Sequence, residues 1–192
     1  MSTEILEKIF NSPYRVKIIR LFFLNPQELF AVNDIAVRTK TPRNTTRKEL
    51  LMLKKISFIK RVARGKKEGL QLNPSFLLSR PLKNLVLNSA PFSNKEIIKR
   101  FKMVGRLKLM IISGIFLQNE ENSRVDLFIV ADQVKKSLLK KALKNIEAKI
   151  GKELEYSVMS SQEFQYRLGM YDKFMRDIFD SPHEKVINKL NI

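Results

Sequence analysis

Basic side chains concentrate in one stretch of the sequence, the thirty residues from Arg38 to Lys67. This stretch holds twelve lysines and arginines and one acid, Glu49, so its local charge is +11. Lysine and arginine neutralise phosphates, and a guanidinium can donate two hydrogen bonds to guanine. This stretch therefore predicts a surface that binds nucleic acid. A solvated, lysine-rich surface is the alternative.

The composition of the whole chain supports a polyanionic partner and excludes several other chemistries. The 192 residues include 37 lysines and arginines against 19 acids, and a net charge of +18 repels itself unless an anionic partner is bound. The chain has no cysteine, which excludes disulfides, thiolate nucleophiles and cysteine-bound zinc. The one histidine, His183, has no neighbour at metal-ligand spacing. We expect it at the surface, and we expect neither a metal nor a cofactor.

The sequence has no segment with the length and apolarity of a membrane span. The longest apolar stretch, Leu107 to Phe116, contains Lys108 and is shorter than the roughly 20 residues required. The N-terminal residues Met1 to Phe10 include Glu4 and Glu7 and lack the apolar middle of a signal peptide. We therefore expect a cytoplasmic protein that has no membrane partner.

Two domains are expected, residues 1–91 and residues 92–192. The first carries net +12 (18 basic and 6 acidic residues) and the second net +6 (19 and 13), which indicates different tasks. Turn-forming residues at Asn88 to Pro91 mark the boundary. Ser93 and Glu96, directly after it, have the spacing of a helix capping box.

Local signals in the first domain place the basic stretch on a helix and a hairpin. A first helix is expected from Pro13, with Ser12 as its cap, to Asn25. The elements expected after it are a strand at Leu29–Ala31, a helix at Asp34–Thr39 capped by Asn33, a helix from Thr41 to about Ile56, and strands at Phe58–Val62 and Leu70–Leu72 joined by the loop Ala63–Gly69.

The helix from Thr41 to about Ile56 has two different faces. Thr41 is expected to cap it and Pro42 to occupy its first position. Small or apolar residues at helical spacing predict a buried face of Thr46, Leu50, Leu53 and Ile56. The opposite face carries Arg43, Asn44, Arg47, Lys48, Lys54 and Lys55.

This order of elements, from Tyr14 to Asn73, resembles the winged helix-turn-helix of bacterial and archaeal transcription regulators. Phe30–Ala36 is similar to the strand and second helix of that family, and Thr41–Leu53 to its polar helix start followed by spaced leucines. Ser57 stands where the family commonly has glycine. The resemblance implies a recognition helix in the major groove of double-stranded DNA and a hairpin wing beside it.

The resemblance also implies a set of DNA contacts. It assigns Arg43, Asn44, Arg47 and Lys48 to base edges, Thr41 and Thr45 to the DNA backbone, and Arg64, Lys66 and Lys67 of the wing to phosphates or the minor groove. A homodimer on a pseudo-palindromic site is the expected assembly. RNA and a protein surface remain alternative partners for these side chains.

The second half alternates helices and strands, which predicts a small mixed α/β domain with C-terminal helices, so that the whole chain is expected to be α+β. The expected elements are a helix at Asn94–Met103, strands at Leu107–Ser113 and Val125–Ala131, a helix at Gln133–Ile150, a strand at Leu154–Met159 and one or two final helices.

Ser113 and Gly114 stand at the end of one predicted strand, and Arg124 and Asp126 stand at the start of the next. With this pattern, Leu107 to Ser161 resembles a minimal nucleotidyltransferase core. Members of that family have Gly-Ser at the end of one strand and Ser-Asp-x-Asp at the start of the next. Their carboxylates at alternate strand positions hold Mg²⁺, and the glycine turn cradles nucleotide phosphates. Here Ser113 and Gly114 occupy the first position, and Arg124 and Asp126 the second. The resemblance therefore implies a nucleotidyltransferase-like domain with a degenerate nucleotide site.

Arg124 in place of the first aspartate would repel a divalent cation, so we expect this domain to be a pseudoenzyme. Arg124 would pair with a phosphate or with Asp126, and Glu155 stands where a third carboxylate is expected. The sequence thus predicts a non-enzymatic DNA-binding transcription regulator whose second domain senses an unknown small-molecule effector or directs assembly. An active nucleotidyltransferase whose winged helix presents an RNA or protein acceptor is one alternative, and a protein-interaction module is another.

Overall fold

The structure, a computed structural model, describes residues 2–65, 67–89, 92–117, 119 and 123–192, with side chains from residue 5 onward. It is a mixed α+β fold, with nine α-helices, a two-stranded sheet and a four-stranded sheet in those ranges. None of these helices is long and apolar enough to cross a bilayer. The chain divides into two compact units, which are Met1–Pro91 with Asn145–Lys152 (unit 1) and Phe92–Lys144 with Glu153–Ile192 (unit 2).

Unit 1 combines five helices of its own with a hairpin. The elements are α1 (Ser2–Ile9), α2 (Pro13–Leu24), α3 (Val32–Thr39), α4 (Arg43–Lys55), β1 (Ile59–Arg64), β2 (Lys67–Leu72) and α5 (Ser79–Asn88). The predicted start of α2 is confirmed, because the Ser12 hydroxyl oxygen accepts a hydrogen bond from the N–H of Arg15 at 3.1 Å. The cap predicted for α3 is wrong: Asn33 lies inside its first turn, and the carboxylate of Asp34 accepts a hydrogen bond from the N–H of Ala31.

The predicted hairpin is confirmed as an antiparallel pair of β1 and β2. Its strands are longer than expected, since the pairing extends to Arg64 and Lys67 beside the turn. Gly65 in this turn has a φ of +59°, a conformation that glycine adopts at little cost. The strand predicted before α3 is reduced to one bridge, in which Phe30 pairs with Leu70.

Aromatic rings form the centre of unit 1. Phe22 packs edge-to-face against Phe30 and Phe58, with ring centroids 5.4 and 6.2 Å away. Ile56, which the periodicity predicts to be buried, is 48% exposed. The reason is that α4 ends one residue earlier and the chain turns through Ser57, whose φ is +60°. Ser57 thus has a left-handed conformation, which glycine adopts more readily than serine.

One arginine of unit 1 is an internal residue. Arg20 of α2 is only 2% exposed and donates hydrogen bonds to the carbonyl oxygens of Val86 at 3.2 Å and Ser89 at 2.7 Å. Burial lowers the pKa of Arg20 to about 10. This cation joins the end of α5 to α2, so it does not contribute to the basic surface.

Unit 2 is built on the four-stranded sheet. Its elements are α6 (Asn94–Phe101), β3 (Arg106–Ser113), β4 (Leu127–Asp132), α7 (Lys136–Ile150), β5 (Tyr156–Met159), α8 (Ser161–Gly169), α9 (Lys173–Asp180) and β6 (His183–Asn188), and the last residues of α7 fall in unit 1. The strand order is β5-β4-β3-β6, with β4 and β5 parallel and the other neighbours antiparallel. The capping box of α6 is confirmed, since the N–H of Ser93 donates to the Glu96 carboxylate at 3.0 Å. The half-exposed edge strand β6 lacks the alternation that would predict it.

Candidate nucleic-acid interface

The outer face of α4 presents basic side chains to solvent. Arg43, Asn44, Arg47 and Lys48 are all exposed, as predicted. The three cations among them make no ion pair with any residue that the structure describes. They face outward because the opposite side of the helix is buried, namely Thr46, Glu49, Leu50 and Leu53.

The one acid of the basic stretch, Glu49, faces inward. Its Oε1 accepts a hydrogen bond from the Ser12 hydroxyl at 2.6 Å, and its Oε2 accepts one from Nε of Arg15 at 2.7 Å. Both partners belong to the start of α2, so the carboxylate ties α4 to that helix and is neutralised there. The outer face of α4 consequently has no negative charge to offset its cations.

The two threonines assigned to the DNA backbone have different surroundings. Thr45 is half-buried on α4 and reaches the surface. Thr41 is 5% exposed, and its hydroxyl oxygen accepts a hydrogen bond from the Thr39 hydroxyl at 2.8 Å. The N-cap of α4 is Pro42, one residue later than predicted, whose carbonyl accepts the first bond of the helix. The Thr41 side chain therefore packs inside the α3–α4 turn, away from the exposed face.

The tip of the hairpin carries two of the predicted wing residues. Arg64 and Lys67 are cross-strand partners and both are exposed. Nη2 of Arg64 lies 3.4 Å from Oε1 of Gln71, so the guanidinium leans back along the hairpin. Lys66, the third residue assigned to the wing, lies outside the described residues.

Further cations of unit 1 share this exposure. Lys54 at the end of α4 and Lys60 on β1 are exposed, although the predicted contact set omits them. The signal for Lys60 is its place directly after Ile59, an apolar residue of the predicted strand that is buried in β1. Arg61 is already neutralised, because it pairs with Glu68 on β2 and lowers the pKa of that carboxyl group.

In unit 2, the carboxylate of Asp126 is used for backbone contacts. Oδ1 accepts a hydrogen bond from the N–H of Ile115 at 2.8 Å, and Oδ2 accepts one from the N–H of Glu155 at 3.0 Å. Gly114 has a φ of +53°, and a Cβ atom there would lie only 2.2 Å from Oδ1. The turn at Gly114, where the sequence predicts a degenerate nucleotide site, thus encloses the carboxylate of Asp126.

The other residues of the predicted nucleotide site are also occupied within the unit. The Ser113 side chain is buried, and its hydroxyl donates to the carbonyl of Val125. The pairing of Arg124 with Asp126 is wrong: the exposed Arg124 side chain reaches Asp177 of α9, with Nη1 3.6 Å from Oδ2. The carboxylate that Arg124 was expected to meet is turned toward backbone N–H groups.

The placement of the acidic and histidine side chains bears on the predicted loss of a metal site. Across the described part of the chain, no three histidine, aspartate or glutamate side chains are grouped to hold a metal ion. Glu155, the expected third carboxylate, has an exposed side chain just before β5. His183 at the start of β6 is half-buried, with Nδ1 2.8 Å from the carbonyl oxygen of Ser181.

Comparison of the chain with protein-family models, with curated proteins and with solved structures found no match. A functional assignment therefore depends on the geometry and charge of the two units. The strongest candidate site is the basic surface formed by the outer face of α4 and the tip of the β1–β2 hairpin.

Proposed function

We propose that the chain is a DNA-binding transcription regulator in which unit 1 is a winged helix-turn-helix. The observation that carries this proposal is the arrangement of α4, where Arg43, Arg47 and Lys48 face outward with no ion-pair partner among the described residues while Glu49 faces inward. A groove lined with phosphates and base edges offers these cations anionic and polar acceptors, which the described residues of unit 1 do not supply as ion-pair partners.

The dimensions of α4 agree with insertion into DNA. Its 13 residues extend about 20 Å, and an α-helix fits the major groove, which is about 12 Å wide. Arg43 and Arg47 are one turn apart on the outer face and are assigned to base edges, where arginine favours guanine. Arg64 and Lys67 of the hairpin are assigned to phosphates. A two-fold dimer would place two such helices on successive major grooves.

Unit 2 is proposed to be a nucleotidyltransferase-like domain that does not catalyse. The antiparallel pair β3–β4, followed by α7 and the parallel strand β5, supports the resemblance. The engagement of Asp126 with two backbone N–H groups supports the loss of a metal site. Sensing of a ligand or assembly of the regulator is the remaining role for this unit.

The deciding experiment begins with selection of bound duplexes from a random pool by the full chain. An enriched sequence is expected, and its affinity is then measured by fluorescence anisotropy at several salt concentrations. Contact with about five to seven phosphates gives a slope of log K against log salt near −5, since each contact contributes about −0.9. Failure to enrich any sequence, or a slope near −1, would refute the proposal.

A pair of double variants isolates the role of α4. Arg47→Ala with Lys48→Ala is expected to weaken the selected duplex at least about thirtyfold. Lys140→Ala with Lys141→Ala removes the same charge from the exposed side of α7 and is expected to weaken it less than about threefold. Circular dichroism checks that both remain folded. Equal losses in the two variants would indicate binding to polyanions through net charge alone.

A further inference from the structure

A mostly apolar cavity of about 490 Å³ opens beside α4 in unit 1. It lies between that helix, the start of α3 and the hairpin. Its apolar lining includes Phe30, Val32, Leu50, Leu51 and Leu70. The volume is within the range of small-molecule sites in proteins, roughly 300 to 1,000 Å³.

The wall of this cavity is built by a close approach of two backbone segments. Phe30 and Leu70 exchange two hydrogen bonds, each 2.9 Å long. Gly69 beside them permits the approach, since a Cβ atom there would lie 3.0 Å from the carbonyl oxygen of Phe30. The Phe30 side chain is only 1% exposed. The cavity is therefore preformed by the fold of unit 1.

Basic side chains flank the apolar lining on α4. Arg47, Leu50, Leu51 and Lys54 are at helical positions i, i+3, i+4 and i+7, so the two cations lie at the ends of a leucine pair. Neither cation has an ion-pair partner among the described residues, whereas Arg61, also at the cavity, is paired with Glu68. Leu51 is 69% exposed at the opening.

We propose that this cavity binds an amphipathic carboxylate, such as a medium-chain fatty acid. Its alkyl chain packs against Leu51, Val32 and Leu70, the apolar lining residues that are at least partly exposed, and its carboxylate lies beside Lys54 and Arg47. A neutral apolar ligand would gain no charge attraction from the two exposed cations, and inorganic phosphate would leave the leucines uncovered. The two cations and the apolar lining together favour a ligand that has both a carboxylate and an alkyl chain.

Binding of the carboxylate has a regulatory consequence, which rests on the proposed function. Arg47 belongs both to the cavity lining and to the residues assigned to DNA bases. A carboxylate beside Arg47 neutralises it and competes for the same guanidinium. The ligand is therefore an effector that releases DNA.

The site is tested by calorimetric titration of the full chain with decanoate, below the concentration at which decanoate forms micelles. Saturable binding at one site per chain is expected. Dodecanoate is expected to bind about tenfold more tightly, because two more methylene groups are buried. The neutral 1-decanol is expected to bind more weakly than decanoate. Absence of saturation, or equal affinity for decanoate and 1-decanol, would overturn the proposal.

Variants with matched controls locate the site. Leu51→Gln is expected to weaken decanoate binding about tenfold, and Leu77→Gln, at a leucine 92% exposed and outside the cavity, to leave it unchanged. Lys54→Gln is expected to weaken it about two- to fivefold, and the adjacent exposed Lys55→Gln to have no effect. Equal losses in a variant and its control would overturn the assignment.

The DNA measurement separates this inference from the proposed function. Decanoate is expected to weaken binding of the selected duplex by the wild-type chain, and about tenfold more decanoate is expected to be needed for the same effect on Leu51→Gln. If the chain binds decanoate but no duplex, the proposed DNA-binding function is refuted and the carboxylate site is still supported. A chain that binds duplex DNA and does not bind decanoate would refute only the site.

Discussion

Oε2 of Glu49 lies 2.7 Å from Nε of Arg15, and this pair joins the middle of α4 to the start of α2. The Ser12 hydroxyl, which caps α2, donates to the same carboxylate. The only acid of the basic stretch is thereby an internal anchor. The pair explains both how α4 is held and why all the charges on its outer face are positive.

Replacing Glu49 tests how much this ion pair contributes to the free energy of unfolding. Glu49→Gln loses the charge-assisted bond from Arg15 in a largely buried setting, and we expect the free energy of unfolding to fall by about 1.5 kcal/mol. Glu28→Gln interrupts the more exposed pair with Arg38 and is expected to cost less than about 0.5 kcal/mol. Urea denaturation followed by circular dichroism measures both. Equal effects would show that the Glu49 pair is only a surface contact.

The left-handed serine after α4 offers a stabilising substitution. Ser57 has a φ of +60°, which costs a residue with a side chain roughly 1–2 kcal/mol. Ser57→Gly removes that cost against a smaller loss of backbone entropy, so a net gain of about 0.5–1 kcal/mol is expected. Ser75→Gly, at an exposed turn without positive φ, is expected to destabilise. A lower melting temperature for Ser57→Gly would contradict the turn geometry.

Gly114 tests how tightly the turn encloses Asp126. Gly114→Ala combines a positive φ with a Cβ atom 2.2 Å from Oδ1 of Asp126, and we expect a loss of at least about 2 kcal/mol. Gly169→Ala is the control, since nothing lies within 4 Å of a Cβ atom there. Thermal unfolding of both variants gives the comparison. Tolerance of alanine at residue 114 would mean that the turn is open and free to bind phosphate.

The pH dependence of stability follows from Asp132 at the end of β4. The N–H and hydroxyl of Ser161 donate to its carboxylate at 2.9 and 2.7 Å, and they lower the pKa of Asp132 below its ordinary value. The unfolded chain therefore takes up this proton first as the pH falls. The stabilisation by Asp132 is complete above the pKa of an aspartate in the unfolded chain, about 3.9. It is lost as the pH falls through the lower pKa that Asp132 has in the folded chain.

Asp132→Asn is expected to destabilise the chain at pH 6 and to reduce the further loss on acidification. Denaturation at pH 6 and at pH 3 measures the difference for both proteins. An unchanged pH dependence in the variant would show that Asp132 makes no contribution to it.

Nucleotidyl transfer is the enzymatic alternative, and the role of Asp126 decides it. Because both carboxylate oxygens bond backbone N–H groups, we expect no incorporation of labelled nucleotide with Mg²⁺ or Mn²⁺. Asp126→Asn is expected to lower the melting temperature by weakening these bonds. Incorporation that disappears in Asp126→Asn, with the fold preserved, would reverse this assignment and make the second unit an enzyme.

Features that depend on a few neighbouring residues were predictable. The start of α2 at Ser12 and Pro13, the hairpin, and the capping box of Ser93 and Glu96 all follow from short-range hydrogen bonds and fixed dihedral angles. The burial of Thr41 and the exposure of Ile56 were not, because each depends on where α4 begins and ends against its neighbours.

The amino-acid sequence by itself determined the charge of the chain, its concentration between residues 38 and 67, and the exclusion of cysteine chemistry. Only the tertiary structure decided which charges are turned inward. Arg15 and Glu49 are 34 positions apart, and Asp126 meets the backbone of Glu155 across 29. Helical and strand periodicity indicates which face of an element is buried, but the partner that a buried polar group meets is set by how distant elements pack together.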